Sequence, residues 1–422
     1  MRGEIMGILL LILINIFCPL IALIIVLCFL FSSRRKVLKT LFSELNERFA
    51  IKKQQFSGPC IWFHGASVGE IKSIANIAKT LKERYNLPIL VTTLTKAGQK
   101  AAQKIDTFDC ALLAPVDFYL SIKRFLKFYK PKILIIVEAD LWPNMIYASA
   151  KNGVKVGIIN GRLSQRSAKR YKILNPLVNL LLPNISFICA QSEEIKKRYI
   201  SLGAKEEQVI ACGNIKYDAL SETPNRLEEA QEIISKLSWQ NAKIVVCGST
   251  HDLEEKIIFS AAKTLKDVKF IIAPRHLERA GQIKQYLEKT KLKFTFLSSA
   301  VFEKETQILV ADTMGLLGAL YKVGTLAFVG GSIEKRGGHN FLEPAILKKT
   351  VFFGKYYYNT PEVATKLLES GGSFLVTKTN FIKELSIYLQ DEDLLQVSAQ
   401  KAYETAKYFQ GATNKSLEVI NL

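Results

Sequence analysis

Residues 60–85 read CIWFHGASVGEIKSIANIAKTLKERY, and this stretch decides the architecture. Cys60–His64 is a short apolar run, and the glycines of His64-Gly65-Ala66-Ser67-Val68-Gly69-Glu70 interrupt it. From there Ile71, Ile74, Ile77, Ala78 and Leu81 recur at the three-and-four spacing of an amphipathic helix. Strand, glycine turn and helix in that order begin a βαβ unit, whose parallel strands require a helical crossover.

The same alternation runs through the chain. Further strands are predicted at Ile89–Thr93, Ile133–Val137, Lys155–Ile159, Phe187–Ala190 and Val209–Cys212. A second series follows at Ile244–Cys247, Lys269–Ala273, Phe294–Leu297, Ile308–Val310, Leu326–Val329 and Val351–Phe353. Two such series predict an α/β protein of two Rossmann-like domains. The boundaries fall at 35–215 for the first domain, 216–229 for a polar linker containing Pro224, 230–393 for the second domain and 394–422 for terminal helices. At 422 residues the chain has room for both.

Ahead of them, residues 1–34 read as a membrane anchor. Gly7–Phe31 carries no charge over 25 residues, long enough as one helix to cross a bilayer. Arg34, Arg35, Lys36 and Lys39 follow it, against Arg2 alone before it, which predicts a cytoplasmic location for the remainder. The formal charge of +20 favours an anionic partner, and the anionic leaflet accounts for part of it; no nucleic-acid-binding module is present. Seven cysteines without a CxxC pair suit free thiols in a reducing compartment, and no metal site is expected.

In doubly wound sheets ligands bind beyond the carboxyl ends of the strands, so those loops hold the candidates. Glu70 can be a general base; with Ser67 it also has the S-x-x-E spacing of a capping box, and both readings stand. Glu138 and Asp140 end another strand, where they can orient an acceptor or complement the helix that starts at Pro143. Arg162 and the basic residues after it suit an anionic substrate. In the second half, Gly330-Gly331-Ser332 and the run Gly337 to Pro344 let backbone N–H groups approach a phosphate, with Glu343 placed to accept ribose hydroxyls. Ser249, Thr250, His251, Pro274, Arg275, His276, His339 and Asp312 to Gly315 also follow strands, and together they outline a nucleotide pocket.

The motifs HGASVGE (64–70), EADLWPN (138–144), NGRLSQRS (160–167), QSEE (191–194), GNIKYD (213–218), GSTH (248–251), PRH (274–276), DTMG (312–315) and GGHNFLEPA (337–345) resemble, in order and spacing, the 3-deoxy-D-manno-octulosonic acid (Kdo) transferases of lipopolysaccharide synthesis. The resemblance runs from about residue 34 to the C-terminus. It implies a GT-B fold, two Rossmann-like domains facing a cleft, and metal-independent, inverting transfer of Kdo from CMP-Kdo to lipid IVA at the cytoplasmic face of the cell inner membrane, with a single-pass anchor and no cofactor. By position it makes Glu70 the base and assigns the CMP moiety to Pro274, Arg275, Met314, Gly315, Leu316, Asn340, Phe341, Leu342 and Glu343. Ser67, Glu138, Arg162, Ser249, Thr250, His276, Gly331 and His339 are further cleft candidates. Leu316 and Asp140 stand where the family usually has Glu, Gly161 where Ala is usual, and 354–356 lacks a His often found there. The competing readings are a membrane-associated GT-B transferase using a UDP-sugar and a non-catalytic nucleotide-binding protein of the membrane surface.

Overall fold

Apolar runs flanked by glycine turns become parallel strands because a central strand buries both faces and tolerates no alternation of polarity. The protein, seen in a computed structural model, is described at residues 2–30, 44–51, 58–138 and 141–422, and in the first helix at the side chains of 3–17. Asp140 and the basic cluster at 34–39 lie outside the described residues. The chain forms two compact units, Met1–Ala219 with Gly411–Leu422, and Leu220–Gln410.

The first unit holds β1 (Cys60–His64), β2 (Ile89–Thr93), β3 (Cys110–Leu113), β4 (Pro131–Val137), β5 (Lys155–Gly161), β6 (Phe187–Ala190) and β7 (Val209–Ala211). They form one parallel sheet in the order β3-β2-β1-β4-β5-β6-β7. Along β1, Cys60 and Trp62 join the apolar layer on one side and Ile61 and Phe63 the layer on the other, all with no exposure. Full burial of each large apolar side chain contributes about 1.5–3 kcal/mol. The helix Ala412–Val419 belongs to this unit, its start tied down by Gly411 and Thr413 N–H groups that donate to Asp218 at 2.7 and 2.5 Å.

The second unit holds β8 (Lys243–Thr250), β9 (Val268–Pro274), β10 (Phe294–Phe296), β11 (Ile308–Val310), β12 (Leu326–Val329), β13 (Val351–Phe353) and β14 (Ser373–Leu375). These are again parallel, in the order β10-β11-β9-β8-β12-β13-β14. In each sheet the chain reverses its direction of winding beside the first strand: between β1 and β4, and between β8 and β12. Crevices at such switch points, beyond the carboxyl ends of the strands, are where this architecture takes ligands.

The membrane-spanning anchor expected over Gly7–Phe31 is not supported. The apolar run does form a helix, Arg2–Leu30. Among the described residues, however, no helix is long and apolar enough to cross a membrane. The described part of this helix is engaged by its own unit: Leu11 is buried, and a Cβ added at Gly7 would come within 2.5 Å of the Pro176 carbonyl and 2.8 Å of Leu180. Asn15 donates to Asn144 Oδ1 at 2.7 Å and accepts the Tyr119 N–H at 2.9 Å. A side chain bonded into the domain in this way cannot sit among acyl chains. The described side chains of this helix thus pack on the domain along one side, which apolar length alone does not reveal.

Candidate functional site

In the first unit the loop after β1 turns directly into the helix Val68–Ser73, with Ser67 as its cap. Ser67 Oγ accepts the Glu70 N–H at 3.3 Å. The Glu70 carboxylate in turn accepts the Ala66 N–H at 2.7 Å and the Ser67 hydroxyl at 2.8 Å. The capping geometry is thus present, and the carboxylate reaches one residue beyond the cap. Its two anchors leave lone pairs on both oxygens, because a carboxylate has about four acceptor sites. Glu70 is half-buried at the β1 end of the switch point, a held acceptor within reach of solvent.

Beside it, β4 and β5 end in two non-glycine residues with left-handed backbones, Glu138 (φ 68°) and Asn160 (φ 53°). Such conformations cost energy and persist where surrounding bonds impose them. Asn160 Oδ1 accepts the Ile215 N–H at 3.1 Å, and the Asn160 carbonyl accepts from the Gln191 amide at 3.0 Å. Glu138 is ion-paired with Lys216. Lys216 falls in the segment read from sequence as linker, and the motif GNIKYD was its only signal. Arg162 is exposed and has no ion-pair partner among the described residues.

His64, the last residue of β1, is buried, with Nδ1 3.0 Å from Thr92 Oγ1 and the Trp142 ring edge-on at 5.2 Å. Its Nε2 has no partner among the described residues. Burial pushes the imidazole pKa down to about 4. The folded protein therefore leaves His64 neutral in a range where an unfolded chain, with His near 6.5, binds a proton. Stability falls as pH drops from 6.5 towards 4, by roughly 3 kcal/mol from this residue. Thermal melts at pH 7 and pH 4.5 are expected to show a smaller pH-dependent loss in His64→Gln than in wild type; equal losses would assign the effect elsewhere.

In the second unit the loop after β12 is folded around one carboxylate. Glu254, fully buried in the first turn of the helix Asp252–Thr264, accepts four backbone N–H groups: His251 at 3.1 Å, Gly331 at 2.8 Å, Ser332 at 3.0 Å and Ile333 at 2.9 Å. Burial pushes its pKa up, and the four donors oppose that shift. Gly330 has no room for a side chain, since a Cβ there would lie 2.4 Å from the Ser249 carbonyl and 2.7 Å from Glu254 Oε2. Sequence reading missed Glu254, although His251-x-x-Glu254 has capping-box spacing.

Around this loop the structure gathers several of the expected residues. His251 and His339 share a hydrogen bond between their Nε2 atoms, 3.1 Å apart, and His276 lies edge-on to His251 with ring centres 5.9 Å apart. One ring nitrogen of the bonded pair must donate, so both rings cannot be doubly protonated in this arrangement. Burial, reinforced by Arg275, holds the His339 pKa down to about 4. The Arg275 side chain is exposed, while its N–H donates to the Thr250 carbonyl at 3.1 Å. Gly331, Gly337 and Gly338 adopt positive φ, and the Gly338 N–H closes the loop on the Gly331 carbonyl at 2.8 Å.

A second cluster lies at the start of the helix Leu317–Val323. Met314 is exposed, Gly315 has φ 83°, and the Met314 carbonyl accepts from Arg226 at 2.8 Å. Glu343 is close by, its Oε1 3.5 Å from a Cβ built at Gly318, and its pKa is raised by burial. Among the described residues its carboxylate has no hydrogen-bond partner. Leu316, Phe341 and Leu342 are fully buried side chains, and Phe341 stacks on Phe353 at 4.3 Å. These three can present only backbone to a ligand, whereas Asn340 is exposed.

Residues 43–219 match a family model described as 3-deoxy-D-manno-octulosonic-acid transferase (kdotransferase). The chain is 33% identical over 371 residues to a 3-deoxy-D-manno-octulosonic acid transferase of Haemophilus influenzae, a match covering 85% of this chain and 86% of the relative. It is 35% identical over 332 residues to a bifunctional glycosyltransferase/methyltransferase of Fusobacterium nucleatum; this takes in 77% of the chain but 52% of that relative, so the chain spans about half its length. Among solved structures, a glycosyltransferase of Rickettsia africae superposes with a TM-score of 0.60 at 15% identity, over 87% of this chain and 98% of that one, a likeness of fold alone and of GT-B type. One third of the aligned residues shared over most of both chains, together with the family match, places this chain among the Kdo transferases and makes it a glycosyltransferase.

Proposed function

We propose that this transferase moves Kdo from CMP-Kdo to lipid IVA in a single inverting displacement that uses no metal. An acceptor hydroxyl attacks the anomeric carbon of Kdo while the bond from that carbon to the cytidylate phosphate breaks. Glu70 takes the hydroxyl proton, and CMP leaves with the bonding electron pair. The observation that carries the reading is the Glu70 carboxylate, held by the Ala66 N–H and Ser67 at a strand end while keeping free lone pairs. A base must be positioned before its pKa matters.

On the donor side, Arg275 and the backbone of Met314, Gly315 and Leu316 would stabilise the departing phosphate, the task a metal performs elsewhere. The Gly331, Ser332 and Gly338 N–H groups expected from sequence to do so, like that of Ile333, are already taken by Glu254 and the Gly331 carbonyl. Glu343, unpartnered among the described residues, would accept the ribose hydroxyls. Incubation with CMP-Kdo and lipid IVA in the presence of a chelator, followed by mass spectrometry, is expected to show lipid IVA bearing Kdo. Absence of that product together with consumption of a UDP-sugar would favour the UDP-sugar reading, and loss of product only with chelator would end the metal-free one.

We also propose that the protein sits on the cytoplasmic face of the inner membrane as an interfacial protein. Ile5, Met6, Leu9, Ile12, Leu13, Ile16 and Phe17 are each about half exposed on the helix Arg2–Leu30, at 46–57%. That helix lies along Pro176 and Leu180, immediately after Ile173 (82% exposed) and Leu174 (47%). Arg166, Lys169, Arg170 and Lys172 precede them on the helix Gln165–Ile173. An apolar patch with basic neighbours suits an anionic leaflet. Ile173→Asp is expected to shift protein from the membrane to the soluble fraction with no change in melting temperature, because the side chain is already in solvent. Unchanged partitioning would remove this residue from the membrane contact.

A further inference from the structure

The first unit has a cavity of about 820 Å³ at the opposite end of its sheet from Glu70. Pro59 precedes β1, Lys130 to Lys132 open β4, and Val154 precedes β5, so the cavity borders the amino ends of three adjacent strands. The seven residues of β4, at about 3.3 Å each, set it roughly 20 Å from the loops at the carboxyl ends. It is separate from everything assigned to the transfer reaction.

Its charge is one-sided. Lys123, Arg124 and Lys127 project from the helix Tyr119–Tyr129, and Lys130 and Lys132 from the turn into β4. Among the described residues no carboxylate lines the cavity, and none of these five cations has an ion-pair partner. The helices Tyr119–Tyr129 and Pro143–Lys151 both end here. Each helix C-terminus contributes about half a negative charge, about one together, which leaves most of the five positive charges uncompensated.

Lys130 adds a second observation. It ends its helix with a left-handed backbone, φ 44° and ψ 50°, the position that glycine fills most easily. A lysine there gains from the helix C-terminus what glycine would gain in backbone freedom, and it puts a fifth cation on the cavity wall. Leu120, Leu126 and Val154 give the same cavity an apolar side, and Leu120 is 52% exposed.

We propose that this cavity is a second anion site that takes a phosphoryl group. Four lysines and an arginine lining one cavity without a carboxylate favour a phosphate over a monovalent anion. The phosphoryl group is either that of a lipid headgroup, whose chain would lie on the leucines, or that of a free phosphorylated solute. The two sources differ in whether an apolar body accompanies the charge.

The test uses the full chain and two probes: inorganic pyrophosphate followed by calorimetry, and phosphatidylcholine vesicles with or without phosphatidylglycerol followed by sedimentation. The variant Lys123→Ala/Lys127→Ala/Lys130→Ala is compared with Lys289→Ala/Lys291→Ala/Lys378→Ala, which removes the same charge from exposed positions of the second unit. The cavity variant is expected to weaken binding of at least one probe by about tenfold or more relative to the control variant. Loss of pyrophosphate binding identifies a soluble ligand, and loss of phosphatidylglycerol-dependent sedimentation alone identifies a lipid. Lys130→Gly separates the site from folding, since it should leave the melting temperature unchanged while weakening binding. Raising the ionic strength from about 0.01 to about 0.15 M, which cuts the screening length from about 30 to about 8 Å, should weaken both effects. Equal behaviour of the cavity and control variants with both probes would overturn the proposal.

Discussion

Glu70→Gln is expected to lower turnover by about a hundredfold or more while the protein keeps its fold. The amide has the size of the carboxylate, and its oxygen can still accept the Ala66 N–H that now reaches Glu70 at 2.7 Å. The Ser67 hydroxyl, 2.8 Å from the other oxygen, can rotate to accept from the new amide instead of donating. The cap at Ser67 Oγ, which accepts the residue 70 N–H, does not involve the side chain at all. What disappears is a group able to take a proton. Glu70→Ala separates the two roles from the other side: it removes base and anchor together, and its structural cost should be about 1 kcal/mol, the usual value of a lost cap interaction. Near-normal turnover in Glu70→Gln with a stability loss confined to Glu70→Ala would leave Glu70 as a capping residue only. Turnover and melting temperature measured on the same preparations decide between them.

That a carboxylate stands at this point is legible in the sequence, because a strand, a glycine turn and an S-x-x-E spacing are all local features. The central strands are legible for the same reason. β3 (Cys110–Leu113) and β14 (Ser373–Leu375) are not, although the equally short edge strands β7 and β10 are: β14 starts on a polar serine after two glycines, and β3 offers only four residues. The left-handed backbones of Glu138 and Asn160 have no glycine to announce them, and the bonds that hold them run to Lys216, Gln191 and Ile215, between 31 and 78 residues away along the chain. The apolar run at the N-terminus is legible as a helix, but nothing in it reveals that Pro176 and Leu180 will cover one side. Long-range partners set both the exceptions in the fold and the finer parts of the site.

Glu254 is the clearest such case, and its replacement should have the largest structural effect. In the sequence it is an acidic residue in the first turn of a helix, a common surface feature worth a few tenths of a kcal/mol. In the fold it is fully buried and accepts N–H groups from Gly331, Ser332 and Ile333, 77 to 79 residues later. Glu254→Ala leaves those donors without an acceptor in the protein interior. At about 1–3 kcal/mol for each unsatisfied buried group, and with partial relief by water, a total loss of about 3–5 kcal/mol is expected. That is a large part of the 5–15 kcal/mol typical of a whole domain, so the second unit should melt early or expand. Glu254→Gln is the sharper probe. Each carboxylate oxygen receives two N–H groups, His251 and Gly331 on Oε2, Ser332 and Ile333 on Oε1, so an amide NH₂ in either place faces two donors. The loop has to move to avoid that conflict. Because Glu254 shapes the loop and does not touch reacting atoms, KM for the donor should rise by about tenfold while kcat changes less, the signature of lost ground-state binding. A Glu254→Gln protein with wild-type melting temperature and donor KM would show that the Gly331–Gly338 loop holds its form without this carboxylate, and that the donor does not depend on that form.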